Sequence, residues 1–200
     1  GVLDYRFNNL DVLRAERGCL VIANHPSLLD YVLLASVMNE TDCLVKSALL
    51  RNPFVSGVIR AADYLINSEA DALLAASQQR LAQGDTLLIF PEGTRTRVGE
   101  AMTLQRGAAN IAVRCNSAVR VVVIHCSEQM LDKQSSWYNV PPNKPVFTVD
   151  VRERINIHDF YDASQHEPAL AARQLNRHMQ HQLTTGLQSL SGTKDASALS

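Results

Sequence analysis

Segment 24–30 of the chain, which reads NHPSLLD, combines a histidine and a carboxylate that could transfer a proton. Histidine is the side chain best suited to take up and return a proton near neutral pH, and a carboxylate on its far nitrogen fixes the tautomer and stabilises the imidazolium. His25 and Asp30 would not face each other on one continuous helix. With His25 in a loop and Asp30 in the first turn of the next helix, the chain can fold back and pair them. The alternative is that Asp30 only caps this helix, while His25 bonds to the backbone of its loop.

Segment 90–97, which reads FPEGTRTR, is the second stretch with chemically useful side chains. It follows an apolar run and combines a carboxylate, a flexible glycine, a hydroxyl and two arginines. Gly93 would let the backbone approach a ligand closely, and Arg95 offers a planar fork that suits phosphate oxygens. The alternative is a surface turn that carries a Glu–Arg ion pair.

The elements expected to position these two segments alternate between strands and helices. Apolar runs at 18–23 and 87–90 predict buried strands that end at the two segments. Ser27 and Asp30 have the spacing of a capping box, which predicts a helix from there to Met38. The remaining pattern predicts strands near 43–45, 64–66, 119–124 and 146–151, the last as an edge or half-exposed strand, and helices over 68–84, 104–115 and 168–190.

This alternation predicts an α/β domain with a mainly parallel central sheet and helices on both faces. Ligands of such sheets bind in the loops at the carboxyl ends of the strands. We therefore expect segments 24–30 and 90–97 to share one crevice. A single domain is predicted over residues 1–190, and the small polar residues of 191–200 predict a disordered tail.

Composition narrows the classes of function. The 200 residues are 46% hydrophobic and 20% charged, which fits one folded domain. The 19 Lys and Arg residues against 20 Asp and Glu give a net charge of −1, without the basic excess typical of nucleic-acid-binding proteins. The four cysteines contain no C-x-x-C pair, which predicts reduced thiols, no metal site and a cytoplasmic setting. No apolar run approaches the roughly 18 residues of a membrane-spanning helix.

Together, the N-H-x-x-x-x-D block at 24–30 and the F-P-E-G-T-R block at 90–95 resemble the motifs of the glycerolipid acyltransferase family, which includes the lysophosphatidic acid acyltransferases. The likeness extends through KSALLRNPF at 46–54 and into segment 146–157, so it covers most of residues 1–190. It implies a glycerol-3-phosphate acyltransferase-like fold. It also implies transfer of a fatty acyl group from an acyl-CoA or acyl carrier protein thioester to the hydroxyl of a lysophospholipid such as 1-acylglycerol-3-phosphate.

The resemblance also implies roles for individual residues. His25 corresponds to the general base that deprotonates the acceptor hydroxyl, and Asp30 orients it. Asn24 is assigned to the substrate site, where it would orient the loop or polarise the thioester carbonyl. The remaining substrate-binding candidates fall on the acceptor-binding block, where the arginine would hold a phosphate: Glu92, Gly93, Thr94 and Arg95.

The implied partners are the acyl thioester donor, a lysolipid acceptor and a membrane surface. No cofactor is expected, because the thioester is itself a substrate. The expected location is cytoplasmic, peripheral on the inner face of the membrane.

Departures from the family pattern leave the acceptor open. Segment 61–68 supplies no arginine where the second family block usually has one, and 119–124 lacks the proline frequent in the fourth block. The same chemistry on a lipid acceptor other than a glycerophosphate is one alternative. The others are a non-catalytic lipid-binding domain of the same fold and a thioesterase-like hydrolase in which His25 activates water.

Overall fold

The computed structural model describes residues 3–27, 29–38, 41–46, 65–67, 70–93, 101–128, 141–163 and 167–197. Within these ranges, strands and helices alternate along most of the chain. The strands are β1 (Asp4–Asn8), β2 (Leu20–Ala23), β3 (Thr41–Lys46), β4 (Leu65–Asn67), β5 (Thr86–Ile89), β6 (Val119–Cys126) and β7 (Val146–Ile155). The helices are α1 (Leu10–Arg14), α2 (Asp30–Ala35), α3 (Ala70–Gln83), α4 (Gly107–Arg114) and α5 (Pro168–Ser197), with a 3₁₀ turn at Ile157–Asp159.

The described strands form one sheet in the order β1-β7-β6-β2-β5-β3-β4. β6, β2, β5, β3 and β4 run parallel to one another, whereas β7 is antiparallel to β6, and β1 is parallel to β7. The predicted α/β fold with a mainly parallel sheet is therefore confirmed.

Helices cover both faces of this sheet because the side chains of β2 alternate between them. Leu20 and Ile22 pack in a core with buried residues of α3, α4 and α5. Val21 and Ala23 point to the opposite face, where the core includes buried residues of α1 and α2. The central strands are thus buried on both sides, which explains their unbroken apolar sequences.

Segment 146–151 is predicted to be an edge or a half-exposed strand, and of these two the edge position is wrong, whereas the alternation of buried and partly exposed residues is present. β7 lies between β1 and β6, and its alternate residues Phe147, Val149 and Val151 are buried. The outer strand is β1, which the sequence analysis did not predict. Most of its side chains are exposed, so its sequence lacks the apolar alternation of a half-buried strand, and its pairing with β7 depends on tertiary structure.

The last helix is longer than predicted. α5 begins at Pro168, a favourable residue for the first helical position, and continues past Leu190 to Ser197. Helix α5 therefore includes residues 191–197 of the segment for which a disordered tail is predicted. This segment contains no proline, and each residue added to an existing helix gains a hydrogen bond without a new nucleation cost. None of the described helices is long and apolar enough to cross a membrane.

Candidate active site

Two neighbouring parallel strands bring the two sequence segments together. β2 and β5 pair in parallel with Ile22 opposite Ile89, so both strands end at the same edge of the sheet. The backbone N–H of His25, just beyond β2, donates a hydrogen bond of 2.7 Å to Oε1 of Glu92, just beyond β5. Segments 24–30 and 90–93 therefore meet at the carboxyl edge of the sheet, which is the usual place for a ligand site in this class of fold.

His25 and Asp30 form a direct pair. Nδ1 of His25 lies 2.9 Å from Oδ2 of Asp30, whose side chain is completely buried, whereas the His25 side chain keeps 21% of its surface exposed. Among the described residues, Nε2 of His25 has no hydrogen-bond partner. A proton on Nδ1 held by the carboxylate leaves Nε2 as the basic nitrogen.

The same carboxylate also organises the start of α2. The backbone N–H of Ser27 donates to Oδ2 of Asp30 at 2.7 Å, and the Ser27 hydroxyl donates to Oδ1 at 3.2 Å. The Leu29 N–H in turn donates to the Ser27 hydroxyl at 3.0 Å. Of the two interpretations that the sequence left open for Asp30, the pairing with His25 is present. Asp30 also holds the turn before α2 through Ser27, whereas the residue that precedes the helix, Leu29, makes no side-chain capping bond.

Burial dominates the ionisation of Asp30. It raises the pKa of this carboxyl above its ordinary value, although the hydrogen bonds from His25 and from the Ser27 backbone act in the opposite direction. Once ionised, the carboxylate sits in surroundings that screen its charge poorly. Its attraction for a positively charged imidazole ring at 2.9 Å is correspondingly strong.

Phe90 contacts the other side of the imidazole. Its ring centroid lies 4.5 Å from that of His25, and the two ring planes are inclined by 30°. This stacking and the bond to Asp30 together restrict the orientation of the imidazole. Phe90 belongs to segment 90–97, but no role for it was predicted from the sequence. Its position as the last apolar residue before Pro91, directly after the strand paired with β2, is the signal that could have identified it.

Asn24 lies between the sheet and His25. Its Nδ2 donates to the carbonyl of Ile124 in β6, and its Oδ1 accepts from the Ile124 N–H, both at 2.7 Å. The residue is only 3% exposed. Of the two roles that the sequence left open for Asn24, these contacts favour orienting the loop over polarising a thioester carbonyl.

Glu92 and Gly93 form the described part of the predicted acceptor-binding block. Glu92 is buried, and its contact with the His25 backbone joins the two segments. Gly93 has a φ of 66°, a left-handed conformation that favours glycine, and its N–H donates to the Phe90 carbonyl at 3.0 Å to close a turn. The assignment of both residues to acceptor binding stays a prediction. Thr94 and Arg95 lie outside the described residues.

The described part of the chain contains no cluster of three or more His, Cys, Asp or Glu side chains that could hold a metal ion. The described residues of the site provide a buried carboxylate, an oriented imidazole and a nearby backbone turn. Such a set can accept and return a proton.

Known proteins of one kind resemble this chain. Residues 4–127 match the acyltransferase family. A 1-acyl-sn-glycerol-3-phosphate acyltransferase of Helicobacter pylori is 30% identical over 112 residues, which are 52% of this chain and 47% of that protein. The protein of the same name from Pseudomonas aeruginosa is 26% identical over 132 residues, with 63% and 51% covered. A human 1-acyl-sn-glycerol-3-phosphate acyltransferase beta is 28% identical over 143 residues, with 68% and 48% covered.

The fold has a counterpart among solved structures. The 1-acyl-sn-glycerophosphate acyltransferase PlsC from Thermotoga maritima superimposes with a TM-score of 0.66 at 20% identity, over 94% of this chain and 73% of that one. The chain spans about half the length of the first curated relatives it matches. The match to the family covers more than half of the chain and includes both segments that carry the site as far as Arg97. The chain therefore belongs to the acyltransferase family, as its resemblance to the glycerolipid acyltransferases predicted.

Proposed function

We propose that this protein transfers a fatty acyl group from a thioester to a lipid hydroxyl, with His25 as the general base. The observation that carries the proposal is the bond of 2.9 Å between Nδ1 of His25 and the buried carboxylate of Asp30. This contact holds the proton on Nδ1 and leaves Nε2 to accept one from the acceptor hydroxyl.

The reaction requires one proton to move twice. As Nε2 of His25 removes the hydroxyl proton, the acceptor oxygen attacks the thioester carbonyl carbon and forms a tetrahedral intermediate. The carbon–sulfur bond then breaks, and the departing sulfur takes the proton from the imidazolium. The products are an ester and a free thiol, and no covalent enzyme intermediate is formed. Asp30 stabilises the positive imidazolium between the two proton transfers.

The substrates are proposed from the relatives. These relatives are named 1-acyl-sn-glycerol-3-phosphate acyltransferases, which supports a lysophospholipid with a phosphate as the acceptor. Arg95 would bind this phosphate through its guanidinium fork, with Glu92, Gly93 and Thr94 in the same segment. The donor is an acyl-CoA or acyl carrier protein thioester. We also propose that the enzyme works peripherally at the inner face of the membrane; the lipid nature of the acceptor supports the membrane surface.

Mass spectrometry of the reaction products tests this function. Purified protein is incubated with acyl-CoA or with acyl carrier protein thioesters and a panel of lysolipids, which includes 1-acylglycerol-3-phosphate and lysolipids without a phosphate monoester. The variant His25→Ala is compared with His158→Ala, which removes an exposed histidine of the 3₁₀ turn. We expect a diacyl product that falls to a small residual amount in His25→Ala and persists in His158→Ala.

The other outcomes overturn parts of the proposal. Free fatty acid formed without an acceptor identifies a hydrolase. A product only with acceptors that lack the phosphate retains the chemistry and rejects the proposed acceptor. Binding of lipid without any product, under conditions where the protein is folded, identifies a non-catalytic domain.

A further inference from the structure

The side chain of Asn24 continues the sheet beyond the end of β2. The ladder between β2 and β6 runs from Leu20 opposite Val119 to Ala23 opposite Val122. After Ala23 the main chain turns away into the loop. Its backbone therefore no longer forms hydrogen bonds with the N–H and C=O groups that β6 directs toward β2. The Asn24 amide bonds to both of these groups on Ile124, each at 2.7 Å.

This arrangement fixes the point at which the chain leaves the sheet. A side-chain amide has one carbonyl and one NH₂ group, so it can imitate the pairing of a backbone peptide unit. Unpaired backbone groups at this buried position would be costly. Asn24 therefore pairs the backbone N–H and C=O groups of Ile124. Because Asn24 directly precedes His25, the same two bonds also fix where the backbone of His25 begins.

His25 is then held from both sides of β2. Asn24, which directly precedes His25, is bonded to β6, and Glu92 accepts the His25 N–H from the β5 side at 2.7 Å. The imidazole itself is oriented by Asp30 and Phe90. The backbone contacts set where the ring is, and the side-chain contacts set which way it faces.

We propose that Asn24 is a positioning residue that acts on acyl transfer through His25 and does not contact the substrates. The proposal rests on the proposed role of His25 as general base. Asn24 is 3% exposed, and each end of its amide is bonded to Ile124, so these contacts do not direct it at a thioester carbonyl. A shift of about 1 Å in a catalytic group can lower the rate by about 10²-fold.

Kinetics of two substitutions test this inference. Asn24→Leu keeps a similar volume and removes both bonds to Ile124, whereas Asn24→Asp keeps an acceptor for the Ile124 N–H and loses the donor to its carbonyl. We expect kcat to fall by about 10²-fold in Asn24→Leu, with the KM of donor and acceptor changed by less than about threefold. Asn24→Asp provides the same test if the leucine variant does not fold.

The control is Asn9→Leu. Asn9 also donates from its amide to a strand carbonyl, that of Val151 in β7, at 3.1 Å, and its φ of 58° makes leucine unfavourable there. This variant should lower the melting temperature and leave kcat unchanged. If the Asn24 variants lose stability as Asn9→Leu does and retain kcat, Asn24 has only a structural role.

A double-mutant cycle distinguishes action through His25 from direct action on the substrate. When His25→Ala is already present, Asn24→Leu should lower the residual rate by less than about twofold. A further loss as large as in the wild-type background would indicate that Asn24 polarises the thioester carbonyl, which overturns the inference.

Nuclear magnetic resonance of histidine labelled with ¹⁵N gives a readout that does not depend on turnover. The Nδ1–H signal of His25 should exchange faster with water in Asn24→Leu than in wild type, and should be unchanged in Asn9→Leu. An unchanged signal rejects the positioning role. Failure of the proposed function itself is recognised separately, because the wild-type protein would then give no product that depends on His25.

Discussion

Oδ2 of Asp30 lies 2.9 Å from Nδ1 of His25, and the same oxygen accepts the backbone N–H of Ser27 at 2.7 Å. One buried oxygen therefore fixes both the turn that leads into α2 and the orientation of the imidazole. Because this turn and the ring share the contact, the position of His25 is tied to the start of α2. Changes at Asp30 should affect catalysis and stability in different ways.

Asp30→Asn is expected to lower kcat by about 10²–10⁴-fold, the usual range for loss of general acid–base assistance. Asparagine has the shape of aspartate, but it cannot stabilise a positive imidazolium, and its NH₂ group can bind Nδ1 in the wrong tautomer. Steady-state kinetics with both substrates would measure the change. A Ser36→Ala variant, which alters an exposed hydroxyl at the end of α2, serves as the control. Full activity in Asp30→Asn would show that the pair with His25 is not used in the reaction.

The pH dependence of stability gives a second prediction for Asp30. Burial raises the pKa of this carboxyl above 3.8, its ordinary value. The folded protein therefore binds more protons at this site than the unfolded chain does between the two pKa values. Stability contributed by Asp30 is complete below pH 3.8 and is lost as the pH rises through the pKa of the folded state. Asparagine does not titrate.

Urea unfolding of wild type and Asp30→Asn at a series of pH values, starting below the ordinary pKa of the carboxyl and rising through its pKa in the folded state, would test the prediction. The free energy of unfolding of the wild type, minus that of the variant, should decrease as the pH rises. In a His25→Ala background the pH interval between the Asp30 pKa of the unfolded chain and that of the folded protein should widen, because the hydrogen bond from His25 opposes the effect of burial. A difference that increases with pH would contradict the assigned cause.

Much of the fold could be predicted from local sequence patterns. Buried strands such as β2 and β5 are continuous apolar runs, and their order with the helices predicted the parallel sheet. β1 could not be found in this way, because its exposed residues are held by pairing with β7. Without β1, the alternating pattern of β7 indicated an edge or half-exposed strand, and the position of β7 inside the sheet excludes the edge.

The site was predictable to a similar extent. The residue types and spacing of His25 and Asp30 allowed a contact between them and left a helix cap as the alternative; the structure contains the contact. The partners of Asn24 and Glu92 could not be predicted, because neither the Ile124 backbone nor the His25 N–H carries a sequence signal. Such contacts depend on the register between neighbouring strands, which becomes known only when the sheet is assembled.

Arg95→Ala should raise the KM for a phosphate-containing acceptor more than it lowers kcat. Loss of a bidentate phosphate contact removes binding that is similar in the ground and transition states. Initial rates at varied acceptor and donor concentrations would separate the two effects. Arg173→Ala, which removes an exposed arginine of α5, is the control. A higher KM for the thioester with an unchanged KM for the acceptor would assign Arg95 to the donor.

Glu16 is expected to stabilise the opposite edge of the sheet. Its buried carboxylate accepts hydrogen bonds from Arg120, one of them at 2.7 Å from Nε, and lies 3.6 Å from Nε of Arg154. The Cys19 thiol also donates to it at 3.2 Å. Glu16→Gln leaves the charge of Arg120 without its buried partner, so the free energy of unfolding should fall by about 3–5 kcal/mol.

Chemical denaturation would measure this loss for Glu16→Gln against Asp4→Asn. Asp4 pairs with Lys144 at 2.6 Å, but both side chains are exposed, so the control should change stability little. Catalytic activity of the folded Glu16→Gln variant should remain, because Glu16 precedes β2 whereas His25 follows it. Equal effects of the two substitutions would contradict the importance of burial.

Two glycines of α5 allow a matched test of helix packing. A Cβ atom added at Gly186 would lie 2.5 Å from Cγ2 of Val123, a buried residue of β6 with a stiff branched side chain, and 3.1 Å from Cδ of Arg152. At Gly192, none of the described atoms outside the helix backbone lies within 4 Å of the added atom.

Alanine favours a helix over glycine by about 0.5–1 kcal/mol, and this gain should appear in full for Gly192→Ala. At Gly186 the steric cost, about 1–3 kcal/mol for overpacking, should exceed the gain and lower the free energy of unfolding. Denaturant unfolding of both variants measures the difference in sign. If Gly186→Ala were stabilised as much as Gly192→Ala, α5 would not approach β6 as closely as this packing requires.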